Sequence, residues 1–153
     1  MSTLERLTAD LTTSMKARDA FRTNTLRQVI AAVRTAEKAG PVAQELTDDQ
    51  VRAVLASEVK KRRESADIYS GAGAADRATN ETAEADLIET YLPAALTDAQ
   101  LDAVVADAVA ATGATSMRDM GAVMKAANAA ASGLGRVDGK ALSQRVRQAL
   151  AAL

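Results

Sequence analysis

Alanine decides more about this chain than any motif does. Thirty-six of the 153 residues are alanine, against fifteen Val or Ile and three aromatics. Alanine is the best helix former and gives up no side-chain entropy. The β-branched and aromatic residues that fill strands are scarce. The composition predicts an all-α protein with no strands. It also predicts a thin core, because an alanine buries little area beside a leucine. Modest stability, or burial completed by a partner, is expected.

The helices announce their own starts. Ser2 with Glu5, Thr47 with Gln50, Thr97 with Gln100 and Ser116 with Asp119 all read as capping boxes. In each, a hydroxyl accepts from the third residue's N–H and that residue's side chain reaches back. Asp138 reads as a plain N-cap. Apolar spacing at helical period follows each start. Leu4, Leu7, Leu11 and Met15 predict a first helix. Leu26, Val29, Ile30 and Val33 predict a second, stopped by Gly40 and Pro41. Val51, Leu55, Val59, Ala66 and Tyr69 predict a long third, broken at Gly71 to Gly73. Ala85, Ile88 and Tyr91 predict a fourth, ended by Pro93. The third and fourth should form an antiparallel hairpin with a glycine tip. Leu101 to Thr112, Met117 to Met124 and Leu142 to Leu153 predict three more. The reading divides the chain into an N-terminal helical hairpin domain, 1–93, and a C-terminal three-helix domain, 94–153.

What is missing narrows the chemistry. The chain has no histidine and no cysteine. Disulfides, thiolate nucleophiles and cysteine zinc sites are excluded, and so are the commonest general base and metal ligand. Glu81, Glu84, Asp86 and Glu89 are the best carboxylate cluster. Without histidine or a glycine-rich oxygen-ligand loop it reads as an acidic helix face, so no metal is expected. No Walker loop, dinucleotide glycine pattern or nucleophile elbow occurs, so no cofactor and no catalytic residue is expected. The longest uncharged runs, 108–117 and 126–135, are half the length of a membrane span, and the N-terminus lacks an apolar leader. The expected compartment is the cytoplasm, with no membrane partner.

The charge is segregated along the chain. Residues 71–110 carry one base and eight acids, whereas residues 111–153 carry six bases and two acids. Lys125, Arg136, Lys140, Arg145 and Arg147 are candidate phosphate contacts. No aromatic follows Tyr91, so base stacking is unavailable there. The alternative is a solvated basic surface balancing its acidic neighbour. In the third helix Lys60 to Arg63 point in four directions and make no single patch. Glu58 and Arg62 are different: at 100° per residue they fall in the middle of the apolar stripe, acid first, at the favourable i, i+4 spacing. They read as a structural ion pair bridging or leaving the hairpin, or as a polar contact point for a partner.

Several stretches resemble the YqeY family. Thr25-Leu-Arg-Gln-Val-Ile-Ala-Ala-Val33 is similar to its second helix. Ser57-Glu-Val-Lys-Lys-Arg-Arg-Glu-Ser65, Tyr91-Leu-Pro93 and Leu96 follow in order. Asp119-Met-Gly-Ala-Val-Met-Lys125 and Gly135-Arg-Val-Asp-Gly-Lys140 resemble its closing signature. The chain departs from the family in its alanine-rich 126–131 run, which carries no charge. The resemblance implies an all-helical protein whose C-terminal part is similar to the tail domain of the B subunit of aspartyl/glutamyl-tRNA amidotransferase. That tail is implicated in holding tRNA, while the catalytic cradle and the glutaminase have no counterpart here. A tRNA-binding accessory module is therefore expected, with tRNA and another protein of the tRNA-handling machinery as partners. The alternative is a non-catalytic protein–protein interaction module. Carbon–nitrogen ligase activity with glutamine as donor would attach to the chain by family inheritance alone.

Overall fold

A computed structural model describes every residue, Met1–Leu153. The chain is all-α: α1 (Thr3–Lys16), α2 (Ala20–Glu37), α3 (Asp48–Gly71), α4 (Ala75–Glu89), α5 (Asp98–Thr112), α6 (Met120–Ala131) and α7 (Gly139–Ala151). All four capping boxes form, at Ser2, Thr47, Thr97 and Ser116. Asp138 caps α7.

Contacts between helices fall into two compact units, Met1–Leu92 and Pro93–Leu153. In the first, α3 and α4 lie against each other along their length, α2 packs on both, and α1 packs on α2 and α3. Tyr69 meets Arg77, Arg62 meets Glu84 and Arg63 meets Asp86. From Arg62 and Arg63 to Tyr69 the partner falls from Glu84 and Asp86 to Arg77, so the hairpin is antiparallel. Leu7, Leu26, Val29, Val33, Leu55 and Ile88 are the centre of its core. Each is wholly buried, and each such side chain stabilises by roughly 1.5–3 kcal/mol relative to an exposed one.

The turn between α1 and α2 was not legible in the sequence. Asp19 caps α2 by accepting the Arg22 N–H at 3.0 Å. Arg18 sits at φ 57°, the left-handed position that glycine usually takes after a helix. The Asp19 N–H donates to the Ser14 carbonyl and the Arg18 N–H to that of Met15, closing α1. A side chain in this conformation costs roughly 1–2 kcal/mol.

Two helix ends depart from the spacing. α4 stops at Glu89, not Pro93; Thr90, Tyr91 and Leu92 continue with bonds to the third residue back. The ring of Pro93 disfavours the α conformation at Leu92, and the tighter turn is the result. The sixth helix begins with a 3₁₀ turn, Met117–Asp119, because Asp119 bends back to accept the Thr115 and Ser116 N–H groups.

In the second unit α5, α6 and α7 each touch the other two. Val104, Val105, Val123, Leu142, Val146 and Leu150 are central to its core. The loop between α6 and α7 holds a short parallel bridge, with the Leu96 N–H donating to the Arg136 carbonyl at 3.0 Å and the Arg136 N–H to that of Ala94 at 3.1 Å. Gly135 permits it: a Cβ there would lie 2.7 Å from the Ala94 oxygen.

Candidate functional site

The basic residues of the second unit separate into two groups. In α7 the buried Leu142, Val146 and Leu150 face the core. Lys140 and Arg147, seven residues apart, share one exposed face about 10 Å apart along the axis. Arg145 is turned the other way. Its guanidinium donates to Asp98 at 2.8 Å and to Asp102, both on α5. It is thus held in an internal ion pair that competes with any phosphate contact. Lys125 stands on the exposed face of α6 beside Gly121, Ala122, Asn128 and Ala129. Arg136 is half-buried on the bridging segment.

Charge in this unit is less one-sided than in the 111–153 stretch. α5 brings Asp98, Asp102 and Asp107, so the unit holds six bases and five acids. The acids are largely committed. Two hold Arg145, Asp138 caps α7, and backbone N–H groups at Thr115 and Ser116 hold the Asp119 carboxyl below the usual carboxylate range. Lys125, Lys140, Arg147 and Arg118 make no side-chain bond. Arg118, which the sequence reading had not placed among the phosphate contacts, belongs with them by this criterion.

Glu58 and Arg62 form the polar centre of the first unit. Arg62 is only 7% exposed. Its Nε donates to Glu84 at 2.8 Å, one terminal nitrogen to Glu58 at 2.7 Å and the other to the Gln28 carbonyl oxygen at 2.8 Å. The guanidinium ties α2, α3 and α4 together. Burial works to raise the Glu58 carboxyl, but the bonds from Arg62 and Lys61 outweigh it and hold the group below its ordinary range. Burial likewise opposes the charge on Arg62, and the two carboxylates overcome it and raise its pKa. A charge so fully bonded is structural.

The acidic face of α4 has the same role. Glu84 is taken by Arg62, and Asp86 and Glu89 by Arg63 at 2.7 and 3.1 Å. No group of three or more carboxylates is placed to hold a metal ion.

A second polar cluster escaped the sequence reading because its members lie 81 residues apart. Tyr91, 4% exposed, donates to Asp10 at 2.5 Å. Arg22 donates to the Tyr91 oxygen at 3.3 Å and lies 3.6 Å from Asp10. Arg6 stacks over the ring at 5.3 Å, a cation–π distance. Burial, then the Asp10 carboxylate, push the phenol up to about 12. It stays protonated and is no base at neutral pH.

Residues 4–150 match the YqeY family, described as Yqey-like protein. The chain belongs to the YqeY family. It is also similar to altered inheritance of mitochondria protein 41, mitochondrial, of Meyerozyma guilliermondii, at 37% identity over 91 residues. That stretch is 60% of this chain and 47% of the relative, so the match spans about half the relative's length. No helix of this YqeY-family chain is long and apolar enough to cross a membrane. The segments that carried the family resemblance supply the structural centres. Gln28, Glu58 and Arg62 form one network, Tyr91 anchors the other, and Gly135 makes the bridge.

Proposed function

We propose that this YqeY-family chain is a non-catalytic helical module that binds tRNA, related to the tail of the tRNA-dependent amidotransferase B subunit. The observation that carries the reading is the set of exposed, unpaired bases on α6, α7 and the turn before α6: Arg118, Lys125, Lys140 and Arg147. The small residues around Lys125 leave the α6 backbone open to close approach. Phosphate and shape contacts suit such a surface, and base stacking does not. The buried ionisable centres Arg62 and Tyr91, with Glu58, Glu84 and Asp10, are bonded into the scaffold, which fits holding rather than transformation as the task. The proposed compartment is one that contains tRNA, here the cytoplasm; another protein of the tRNA-handling machinery is a further proposed partner.

A gel shift with bulk tRNA tests this. The triple variant Lys125→Ala, Lys140→Ala, Arg147→Ala is expected to weaken binding at least tenfold, about 1.4 kcal/mol, with the fold intact. Equal binding by variant and parent contradicts the reading. A second reading, protein–protein interaction, is favoured by Met117 and Leu134, 46% and 57% exposed on the same unit. Pull-down from lysate separates the two: a partner that survives nuclease treatment favours the second, and one that nuclease releases favours the first.

A further inference from the structure

The corner between α1 and α2 encloses a shallow cleft of about 380 Å³, and its lining has donors without acceptors. Arg18 holds the left-handed position there, although the bonds that close α1 come from backbone alone. Its guanidinium has no partner. Arg27 contacts only the Met15 sulfur, at 3.3 Å, a weak acceptor for a group with five donors. Between them stands Thr23, only 8% exposed. Thr23 lines the cleft, and its hydroxyl makes no hydrogen bond. The neighbouring buried hydroxyls of Ser14 and Thr25 return theirs to the carbonyl four residues back. Thr23 and Arg27 stand i, i+4 on one face of α2, Asn24 lines the cleft from the adjoining flank, and all three lie next to the positive end of that helix's dipole.

We propose that this cleft is an anion site, which takes one phosphate group between Arg18 and Arg27 with the Thr23 hydroxyl and the Asn24 amide as neutral donors. Guanidiniums match phosphate oxygens bidentately. Asp19 also lines the cleft, so the lining sums to one positive charge. That suits a single phosphate and disfavours a di- or triphosphate. The group can come from a nucleic-acid backbone or from a small phosphomonoester. The inference stands apart from the α6 and α7 surface and does not depend on it.

The test is a ¹H–¹⁵N titration of the full chain with inorganic phosphate, at constant ionic strength set by chloride. Saturable shifts are expected at Arg18, Thr23, Asn24 and the Arg27 side chain, with a dissociation constant on the order of 1 mM. Arg27→Gln should weaken them about tenfold, the loss of one charge-assisted bond, and Thr23→Val should weaken them less. Arg27 is exposed, so its variant keeps the fold. The exposed Lys38→Gln is the control and should change nothing. Displacement of phosphate by an RNA oligomer lacking terminal phosphates assigns the backbone as source. Displacement by glycerol phosphate alone assigns a monoester. Non-saturating shifts spread over all exposed bases, or an unaltered response in Arg27→Gln, overturn the proposal.

Discussion

Arg62 on α3 donates its Nε hydrogen to Glu84 on α4 at 2.8 Å, across the inside of the hairpin. The bond is one of several on a single guanidinium, and its removal takes a donor from each partner at once. Arg62→Ala leaves the half-buried Glu58 and Glu84 with only Lys61 and Asn80 as donors and should cost about 3 kcal/mol. Lysine has three donors on a point charge and does not match the fork, so Arg62→Lys should recover only part of the loss. Urea unfolding gives both numbers. A loss under about 1 kcal/mol for Arg62→Ala would mean that the network is only a surface pair.

Gly135 and Gly121 should respond in opposite directions. Gly135→Ala pushes a Cβ against the Ala94 carbonyl, and opening the bridge should cost about 2 kcal/mol. At Gly121, inside α6, a Cβ meets nothing within 4 Å, so Gly121→Ala should stabilise by about 0.5 kcal/mol. Thermal unfolding of the two variants checks the contrast.

Arg18→Gly removes a left-handed side chain and should stabilise the chain by about 1 kcal/mol. Denaturant midpoints of parent and variant decide this. The same substitution should weaken the phosphate response, which sets stability and binding at this corner in opposition.

The pH profile has two edges. Glu5, Asp48, Glu58 and Asp119 have lowered carboxyl pKa values. The stability they add is present above the unfolded carboxylate range, about pH 4, and is lost as pH falls through their folded values. Tyr91 is raised to about 12. Its contribution is complete below the unfolded value near pH 10 and is lost as pH rises toward 12. With no histidine, stability should be flat between about pH 5 and 9. Unfolding midpoints across this range test the profile, and Tyr91→Phe should flatten the alkaline edge.

Helix content and helix starts were legible because both are local. Each capping box needs only residues three apart, and each apolar stripe repeats within one helix. Glu58 and Arg62 could be found for the same reason, standing i, i+4 on an apolar stripe. Their partners Gln28 and Glu84 could not, since only the packing of α2 and α4 on α3 brings them there. Tyr91 and Asp10 were missed on the same ground. Arg145 shows what the linear sequence leaves out: along it Arg145 is one more base in a basic tail, and only the turn of α7 brings it to Asp98 and Asp102. The corner at Arg18 was missed because an arginine gives no hint of a left-handed conformation.

The most direct test of the central claim is the salt dependence of tRNA binding by the intact chain, followed by fluorescence anisotropy. Four unpaired bases facing a single-strand-like backbone predict that log affinity falls against log salt with a slope of about −3. A complex that forms at about 50 mM salt and dissolves along that slope is the predicted result. No binding at that salt, or binding that salt does not weaken, would contradict the account.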